Sequence, residues 1–243
     1  FSYVLTGSAD CAAELSAPSR RFADSVVSDL SSIPGISASW TYPVLRYFRT
    51  LHEWRPAVLD PAQVAMLMED AGPIPDVATA IADGTPLHLD PADRTVLRAL
   101  AQDGRQSFEE LARLAGVSVQ TARRRAEQMR RDGVFFLRAV FEPEVLGLGT
   151  QALLWVQAAY PEIEEIGAEL TTSPSVRYAA ALAGDYQLLV DVVVPDRAAL
   201  YDYLRTEPWT SRARSIEPSM VVEVLKRSGV SAGADARGMG GRL

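Results

Sequence analysis

The chain has 243 residues, 48% of them hydrophobic, and a formal net charge of -7. This length is enough for one large domain or two to three small ones, each with an apolar core. No run approaches the roughly 18 apolar residues of a membrane span, and the first residues lack a secretory-signal pattern, so we expect a cytoplasmic protein. The single cysteine, Cys11, excludes an internal disulfide, and no cluster of residue types indicates a metal or a cofactor.

The N-terminal region predicts two strands separated by a helix. Residues 1–10 and 36–50 have the composition of strands, and residues 12–32 place apolar side chains at helical spacing. A short helix is predicted over residues 60–70, with an aspartate as its N-cap. Residues 71–89 are rich in Ala, Pro and Gly, which is typical of a linker.

Three closely spaced helices are predicted between residues 90 and 132. Each begins with a capping side chain and ends before a glycine. The N-caps are Asp90, Ser107 and Ser118, and the glycines are Gly104, Gly116 and Gly133. We expect the second helix to bury Leu111 and Leu114, so the three helices would form one small domain.

The remainder of the chain alternates strands and helices in the order β-α-β-β-α-β. The predicted strands are residues 151–160, 176–182, 186–194 and 216–226, and the predicted helices are residues 161–172 and 197–206. This is the split βαβ or ferredoxin-like order, which gives the whole chain an α+β fold. The Gly-rich tail over residues 229–243 offers little to bury, and we expect it to be mobile.

A weak internal repeat connects the two ends of the chain. The strand, helix and strand of residues 1–49 match those of residues 186–226, with PVLRYFR set against MVVEVLK. The first copy lacks its opening β-α-β half. We therefore expect that the chain is truncated at its N-terminus.

Positive charge is concentrated in the third helix of the central region. Between Ser118 and Arg131, five arginines and one glutamate give +4, which leaves -11 for the other residues. At about 100° per residue, one apolar stripe collects Val119, Ala122, Ala126 and Met129. Arg124 lies on the opposite face, and Arg123 and Arg125 lie on its flanks.

A capped helix with a polar outer face, following another helix by a Gly turn, is what the DNA major groove admits. Its first residues would meet base edges, and arginines on its flanks would meet phosphates. The candidates for base contacts are Ser118, Gln120, Thr121 and Arg124, and the candidates for phosphate contacts are Arg123, Arg125, Arg130 and Arg131. The alternative is a solvated helix face with no partner.

Residues 89–135, LDPADRTVLRALAQDGRQSFEELARLAGVSVQTARRRAEQMRRDGVF, resemble the helix-turn-helix domain of the leucine-responsive regulatory protein and asparagine regulator (Lrp/AsnC) family. The matching positions include Leu89, Asp90, Asp93, Asp103, Gly104, Arg105, Leu111, Ala112, Gly116, Ser118, Thr121, Arg124, Arg125 and Gly133. The resemblance continues to residue 228, in a module similar to the family's effector (RAM) domain. Ala122 and Ala126 depart from the family, which usually has larger β-branched residues there.

The resemblance implies a tandem organisation. The expected domains are a partial effector module of β-α-β type over residues 1–59, a short helix and linker over 60–88, a winged-type helix-turn-helix domain over 89–142, a ferredoxin-like effector and oligomerisation domain over 143–228, and a flexible tail over 229–243. Family members form dimers through their effector sheets, and dimers often assemble further. The resemblance therefore implies a homodimer or a larger homo-oligomer.

The resemblance also implies a ligand site. Many family members bind small amino acids near the turn that joins the second and third strands of the effector module. In this sequence the turn is Ala183, Gly184, Asp185 and Tyr186. Gly184 would let backbone N–H groups approach a carboxylate, and Asp185 would accept an α-ammonium group. The alternative is an ordinary hairpin turn.

These observations predict a sequence-specific DNA-binding transcriptional regulator that responds to an amino acid or a similar small molecule. Its partners would be double-stranded DNA, that effector and further copies of itself. Catalysis is not expected, because His52 and His88 are the only histidines and neither has a carboxylate or cysteine constellation around it. The alternative function is a ligand-sensing or protein-interaction module that has lost DNA binding.

Overall fold

The computed structural model describes residues 1–15, 28, 30, 32–51, 53–56, 58, 60, 62–66, 89–135, 137, 141–227 and 230–231. The chain divides into two compact units. The sheet unit contains Phe1–Val58 and Val140–Leu243, and the helical unit contains Leu59–Ala139. Most of the predicted helix at 12–32, the linker and the tail lie outside the described residues. Within them, every helix is too short or too polar to cross a membrane.

The helical unit contains α1 (Pro91–Gln102), α2 (Phe108–Ala115) and α3 (Val119–Arg131). The predicted N-caps are confirmed, because the side chains of Asp90, Ser107 and Ser118 accept from the backbone N–H three residues ahead. Gly116 has a φ of 66° and ends α2 in the left-handed conformation. In the small core, the buried residues are Val96, Ala99, Leu111, Ala112, Ala122, Ala126 and Met129.

Two residues predicted in this core are exposed. Leu114 is 42% exposed, because the buried face of α2 centres on Leu111, Ala112 and Ala115 and Leu114 projects about 100° away from Ala115. Val119 is the first residue of α3 and is 43% exposed. The buried stripe of α3 therefore begins at Ala122.

The sheet unit is built on one antiparallel sheet. In chain order its elements are β1 (Ser2–Leu5), β2 (Cys11–Ala13), β3 (Val44–Arg49), β4 (Thr150–Gln157), α4 (Ile163–Thr172), β5 (Val176–Leu182), β6 (Leu188–Val194), α5 (Arg197–Thr206), β7 (Ser215–Arg227) and β8 (Val230–Ser231). The strand order is β2-β1-β7-β4-β6-β5-β3, and β8 pairs with β7. The central order β7-β4-β6-β5 with two helices confirms the ferredoxin-like prediction.

Both faces of the central sheet are covered. One cluster lies under the helices and includes Ile166, Leu170 and Trp209. The other lies on the opposite face and includes Tyr3, Tyr178 and other residues from β1, β4, β5 and β6. Because of this double cover, β5 and β6 are buried at every position.

The N-terminal region differs from the predicted order of strand, helix and strand. Residues 1–13 form a hairpin of β1 and β2, in which the N–H of Leu5 donates to the carbonyl of Asp10 over 2.8 Å. Gly7, with a φ of 105°, permits the intervening turn. The predicted helix start at Ala12 is wrong, because Ala12 pairs with Tyr3 in this hairpin. The predicted strand 36–50 is shorter, since only Val44–Arg49 is regular.

The N-terminal strands join the two sides of the ferredoxin-like module. β1 pairs with β7, and β3 pairs with β5. Adding 177 to a residue number in the N-terminal strands gives the equivalent residue in the complete module. In this way β1 and β2 correspond to β5 and β6, with Cys11 equivalent to Leu188, and β3 corresponds to part of β7, with Val44 equivalent to Val221. The match of PVLRYFR with MVVEVLK agrees with this offset. The first predicted strand, however, corresponds to β5 rather than to β6, and the counterpart of β6 is β2, which lies within the predicted helix.

The two pairings are related by the same offset. The pairs between β1 and β7 are Ser2 with Lys226, Tyr3 with Val224, Val4 with Glu223 and Leu5 with Val221. The pairs between β5 and β3 are Ala179 with Arg49, Ala180 with Tyr47, Ala181 with Arg46 and Leu182 with Val44. When 177 is added to the residue on β1 and subtracted from its partner on β7, every pair of the first set becomes a pair of the second set. The partial and the complete module therefore pack in an isologous, two-fold manner within one chain.

Candidate nucleic-acid interface and ligand turn

The outer face of α3 carries the residues predicted to contact DNA. Ser118, Gln120, Arg123, Arg124, Arg130 and Arg131 are exposed, and Thr121 is half-buried. The hydroxyls of Ser118 and Thr121 lie 2.8 Å apart, and Ser118 Oγ accepts from the N–H of Thr121 over 3.2 Å. Both hydroxyls therefore take part in the N-terminal cap of α3.

The three consecutive arginines have three different surroundings. Arg123 donates from Nε to Glu127 over 2.9 Å, and its guanidinium lies 5.5 Å from the ring centre of Phe108. Arg124 has no side-chain partner among the described residues and extends into solvent. An exposed ion pair such as that of Arg123 contributes only about 0–1 kcal/mol, so it can be exchanged for another anion.

Arg125 is bound inside the helical unit. Its guanidinium donates to Asp93 over 2.7 Å and also to Asp90. The hydrogen bonds from Asp93 and Asp90 raise the pKa of Arg125. The pKa of Asp90 is lowered, first by the backbone N–H of Asp93 and then by Arg125. Two carboxylates neutralise Arg125 and join α3 to the start of α1, an arrangement that does not favour its predicted contact with phosphate.

The remaining arginines lie at the far end of α3. Arg131 donates to Gln128 Oε1 over 2.9 Å, and Arg130 is exposed beside it. Gln120, Arg124 and Gln128 are four residues apart and form one row along the helix surface. The polar row is thus flanked by cations and lies opposite the buried stripe.

The predicted ligand turn joins β5 and β6. The N–H of Ala183 donates to the carbonyl of Pro43 over 2.9 Å. Gly184 has a φ of 140°, and a Cβ added there would lie 2.5 Å from Cδ1 of Tyr42. An aromatic ring of the same chain therefore lies against Gly184 on the side where a Cβ would project, and the approach of a ligand carboxylate to this backbone stays a prediction.

Three aromatic rings and two carboxylates surround this turn. The ring centre of Tyr42 lies 6.0 Å from that of Trp155 and 5.9 Å from that of Tyr186. The Tyr186 hydroxyl donates to Glu217, which raises the pKa of Tyr186 to about 12, and burial adds to this effect. Asp185 is exposed at the tip. Aromatic faces beside carboxylates suit an ammonium group.

Glu217 also connects this turn with the N-terminal hairpin. Ser8 donates from Oγ to Glu217 over 2.6 Å. The hydrogen bonds from Ser8 and Tyr186 lower the pKa of Glu217. Sequence reasoning missed Tyr42, Trp155 and Glu217 as neighbours of the turn. The constant offset was the available signal, because it sets Gly7 against Gly184 and Ser219 against Tyr42.

Comparisons with known proteins agree with both parts of this description. An AsnC-type helix-turn-helix domain matches residues 89–130, and a Lrp/AsnC ligand binding domain matches residues 151–231. An uncharacterized HTH-type transcriptional regulator of Pyrococcus abyssi is 28% identical over 148 residues, which cover 60% of this chain and 94% of that protein. The HTH-type transcriptional regulator LrpA1 of Halobacterium salinarum is 28% identical over 136 residues, which cover 55% of this chain and 96% of that protein.

Solved structures show the same architecture. A transcriptional regulator of Neisseria meningitidis in complex with L-Met is 26% identical and has a TM-score of 0.52, covering 57% of this chain and 93% of that chain. AsnC of Escherichia coli is similar in fold, with 24% identity and a TM-score of 0.52 over 58% of this chain and 99% of that chain.

Proposed function

We propose a mode of DNA recognition for this chain, which belongs to the Lrp/AsnC family of DNA-binding helix-turn-helix transcriptional regulators. In this mode α3 enters the major groove with Arg124 and Gln120 directed at base edges. The observation that carries the proposal is the contrast among the arginines: Arg124 is free among the described residues, whereas Arg125 is held by two aspartates. A planar guanidinium with no partner in the protein can bond a guanine through two N–H groups.

The other polar residues of α3 have supporting roles in this proposal. Ser118 and Thr121 lie at the start of the helix, where base edges are read. Their capping hydrogen bonds hold the first turn of α3 in place. Arg123, Arg130 and Arg131 contact phosphates on either side of the groove. Arg125 positions α3 and does not touch DNA.

Arg124→Ala tests the base contact. Duplexes selected from a random pool by the parent protein provide the operator, and affinity is then measured on that operator and on unrelated DNA. We expect a loss of about 1–3 kcal/mol on the operator, with relaxed sequence preference and little change on unrelated DNA. The matched control is Arg98→Ala, which removes an exposed arginine of α1.

Other outcomes of this experiment have definite meanings. Equal weakening on all sequences would move Arg124 to the DNA backbone. Arg123→Ala should weaken binding uniformly and reduce the slope of log affinity against log salt by about 1. If the parent protein binds no duplex even at low salt, the α3 proposal fails and the ligand-sensing alternative is favoured.

We also propose that the turn at 183–186 takes a small amino acid. The Neisseria relative was solved with L-Met, and the turn here places Asp185 and Glu217 beside three aromatic rings. Asp185 would accept the α-ammonium group, and the ring of Tyr42 would form the wall against the ligand side chain. The ligand carboxylate then lies away from Gly184, because Tyr42 covers that glycine.

A panel of free amino acids tests this site by the shift in melting temperature of the protein. We expect Asp185→Ala to abolish any shift that the parent shows. Asp202→Ala is the matched control, since Asp202 is an exposed aspartate on α5 that pairs only with Arg205 among the described residues. An unchanged shift in Asp185→Ala would remove Asp185 from the site.

Assembly and location follow from the DNA proposal. One recognition helix reads one half-site, so a palindromic operator requires a homodimer or a larger homo-oligomer. Such a protein must share a compartment with its operator, and we propose the cytoplasm. Sedimentation of the protein alone and on a two-half-site duplex measures the number of copies; one copy per duplex would contradict the assembly.

A further inference from the structure

The two connections of the helical unit start from one place in the sheet unit. The helical unit is Leu59–Ala139, so the chain leaves the sheet unit after Val58 and returns to it after Ala139. Trp54 lies just before the first connection, and Phe141 lies just after the second. The ring centres of Trp54 and Phe141 are 6.2 Å apart, with an angle of 34° between the ring planes. The chain therefore leaves and re-enters the sheet unit at a contact between two aromatic side chains.

Trp54 is held in place by a hydrogen bond and by a buried cation. It is 8% exposed, and its Nε1–H donates to the carbonyl of Pro174 over 2.8 Å. The guanidinium of Arg177 lies 5.0 Å from the centre of the indole ring. Arg177 is itself only 4% exposed, and a cation over an aromatic face is attracted more strongly when water is excluded. The indole therefore has a defined position beside the start of β5.

The chain before Trp54 is bound to the same part of the sheet unit. Arg49 ends β3, and its guanidinium donates to the carbonyls of Ser173 over 2.7 Å and Val176 over 2.8 Å, and also to that of Thr171. These carbonyls lie at the C-terminal end of α4 and just after it, where a helix leaves acceptors without partners of its own. The chain is therefore anchored at Arg49 and again at Trp54, which gives the first connection a fixed starting point.

The second connection depends more on the contact between the rings. Backbone hydrogen bonds order the chain from Pro143 onward, because the N–H of Leu148 donates to the carbonyl of Pro143 over 3.1 Å. Pro143 is buried, whereas Phe141 is 41% exposed. Among the described residues, Trp54 is the aromatic partner of Phe141. The position of Phe141 therefore depends on Trp54 more than the position of Trp54 depends on Phe141.

Arg177 has few partners for a buried cation. Its Nη1 lies 3.8 Å from Oδ2 of Asp191, and its Nε and Nη1 have no hydrogen-bond partner among the described residues. A buried charged group without such partners lowers stability, because it has lost its water. The carboxylate of Asp191 also accepts hydrogen bonds from Tyr3 and Gln151. The indole face of Trp54 therefore compensates part of the buried charge, and Arg177 favours the conformation in which Trp54 stays beside it.

We propose that Trp54 and Phe141 form a clasp that holds the two connections of the helical unit together, and that Trp54 is thereby a positioning residue for DNA binding. Connections that start together allow the helical unit fewer arrangements than connections that start apart, so less freedom is lost when it binds DNA. Neither ring of the clasp touches DNA. This inference rests on DNA binding by the helical unit and not on the base contacts proposed for Arg124.

The first test measures the clasp without DNA. The N–H of Val145 donates to the carbonyl of Glu142 over 3.0 Å, close in sequence to Phe141. Trp54→Ala should raise the rate of hydrogen exchange of this amide about threefold or more, because the contact that orders Phe141 is lost. Trp54→Phe, which retains a ring but not the hydrogen bond to the backbone, should raise the rate less.

The second test measures affinity for duplex DNA at a temperature at which every variant is folded. We expect Trp54→Ala to weaken binding about three- to tenfold on all duplexes. Because no phosphate contact is lost, the slope of log affinity against log salt should equal that of the parent protein. The double variant of Trp54→Ala and Phe141→Ala should bind no more weakly than Trp54→Ala, since one change already opens the clasp.

Ile163→Ala is the control for a general loss of stability. Ile163 is 5% exposed and is the first residue of α4, whereas Trp54 is bound to Pro174, beyond the other end of this helix. This change should lower the melting temperature of the protein, because it removes buried apolar atoms. It should leave the affinity for DNA and the exchange rate at Val145 unchanged.

Several results would overturn the proposal. An unchanged exchange rate at Val145 in Trp54→Ala would mean that there is no clasp. Unchanged DNA affinity in Trp54→Ala, or an equal loss in Ile163→Ala, would remove the positioning role, and so would a double variant whose loss is the product of the two single losses. A parent protein that binds no duplex would overturn DNA binding itself and this role with it, whereas the exchange rates would still decide whether the clasp exists.

Discussion

The two turns of the sheet unit have the same backbone bonds and different surroundings. At the first, Thr6 donates to the carbonyl of Met220 over 2.9 Å; at the second, Ala183 donates to that of Pro43 over 2.9 Å. A Cβ on Gly7 would lie 3.4 Å from Ser219 Oγ, an ordinary contact, whereas one on Gly184 would strike the ring of Tyr42. The pairing of the backbone is thus retained in both halves, and the side chains at the turns have diverged.

We call the two strand pairings between the modules seams: the first seam is β1 with β7, and the second is β3 with β5. At the seams too, the backbone pairing is equivalent and the side chains differ. Tyr3 on the first seam is fully buried and donates to Asp191 over 3.1 Å. Tyr47 on the second seam is half-buried and donates to Glu14. Because backbone hydrogen bonds are equivalent in both, a difference in stability between the seams must come from the side chains.

The largest expected effect is at Tyr3. Tyr3→Ala should lower the free energy of unfolding by about 3–5 kcal/mol, because it leaves a large cavity and removes one of the hydrogen bonds that the buried Asp191 accepts. Tyr47→Ala should lower the free energy of unfolding by a smaller amount, because part of this side chain is already exposed to water. Urea unfolding measures both. Tyr3→Phe is the control that removes only the hydroxyl, and a loss at Tyr47 equal to that at Tyr3 would contradict the difference between the seams.

The second comparison replaces the two glycines. Gly7→Ala and Gly184→Ala each force alanine into a positive φ, at about 1–2 kcal/mol. Gly184→Ala should cost about 1–3 kcal/mol more, because its Cβ meets Tyr42. Thermal unfolding with Tyr42→Ala added separates the two causes, since this change should relieve only the Gly184 variant. Equal costs for both glycines would mean that Tyr42 can move aside freely.

The smallest effect concerns pH. The folded-state pKa of Glu217 is lowered, so its bonds to Ser8 and Tyr186 stabilise the protein above the unfolded pKa near 4.3, and this stability is lost as pH falls through the folded pKa. Because Glu217 is partly solvated, we expect Glu217→Gln to cost less than about 1 kcal/mol at neutral pH. Melting temperatures at neutral and acidic pH should converge between parent and variant. A difference in melting temperature that persists at acidic pH would show that changed packing, and not the lost charge, destabilises the variant.

The helical unit was predictable from local signals. Ser107, Ser118 and Gly116 act on residues within one turn, so their caps could be identified without knowledge of the rest of the fold. Arg125 could not be assigned in this way, because its partners Asp90 and Asp93 belong to another helix. Helical geometry placed it on a flank, and the tertiary contact decided its role.

The sheet unit was predictable only in its complete module. Alternation of strands and helices identified β4 to β7, but residues 11–13 have a composition that suits a helix, and pairing with β1 overrides it. Residues 38–43 were predicted as strand because they have strand composition, yet no described strand pairs with them. The contact of Tyr42 with Gly184 joins distant parts of the sequence and has no local signal.

The isologous packing of the two modules has a consequence for how this protein can evolve. In a dimer of identical chains, one codon change alters both copies of an interface at once. Here each seam is encoded by its own codons, so Tyr42 can close one turn while Ser219 leaves its counterpart unchanged. A single mutation can therefore change one of the two seams and leave the other as it was.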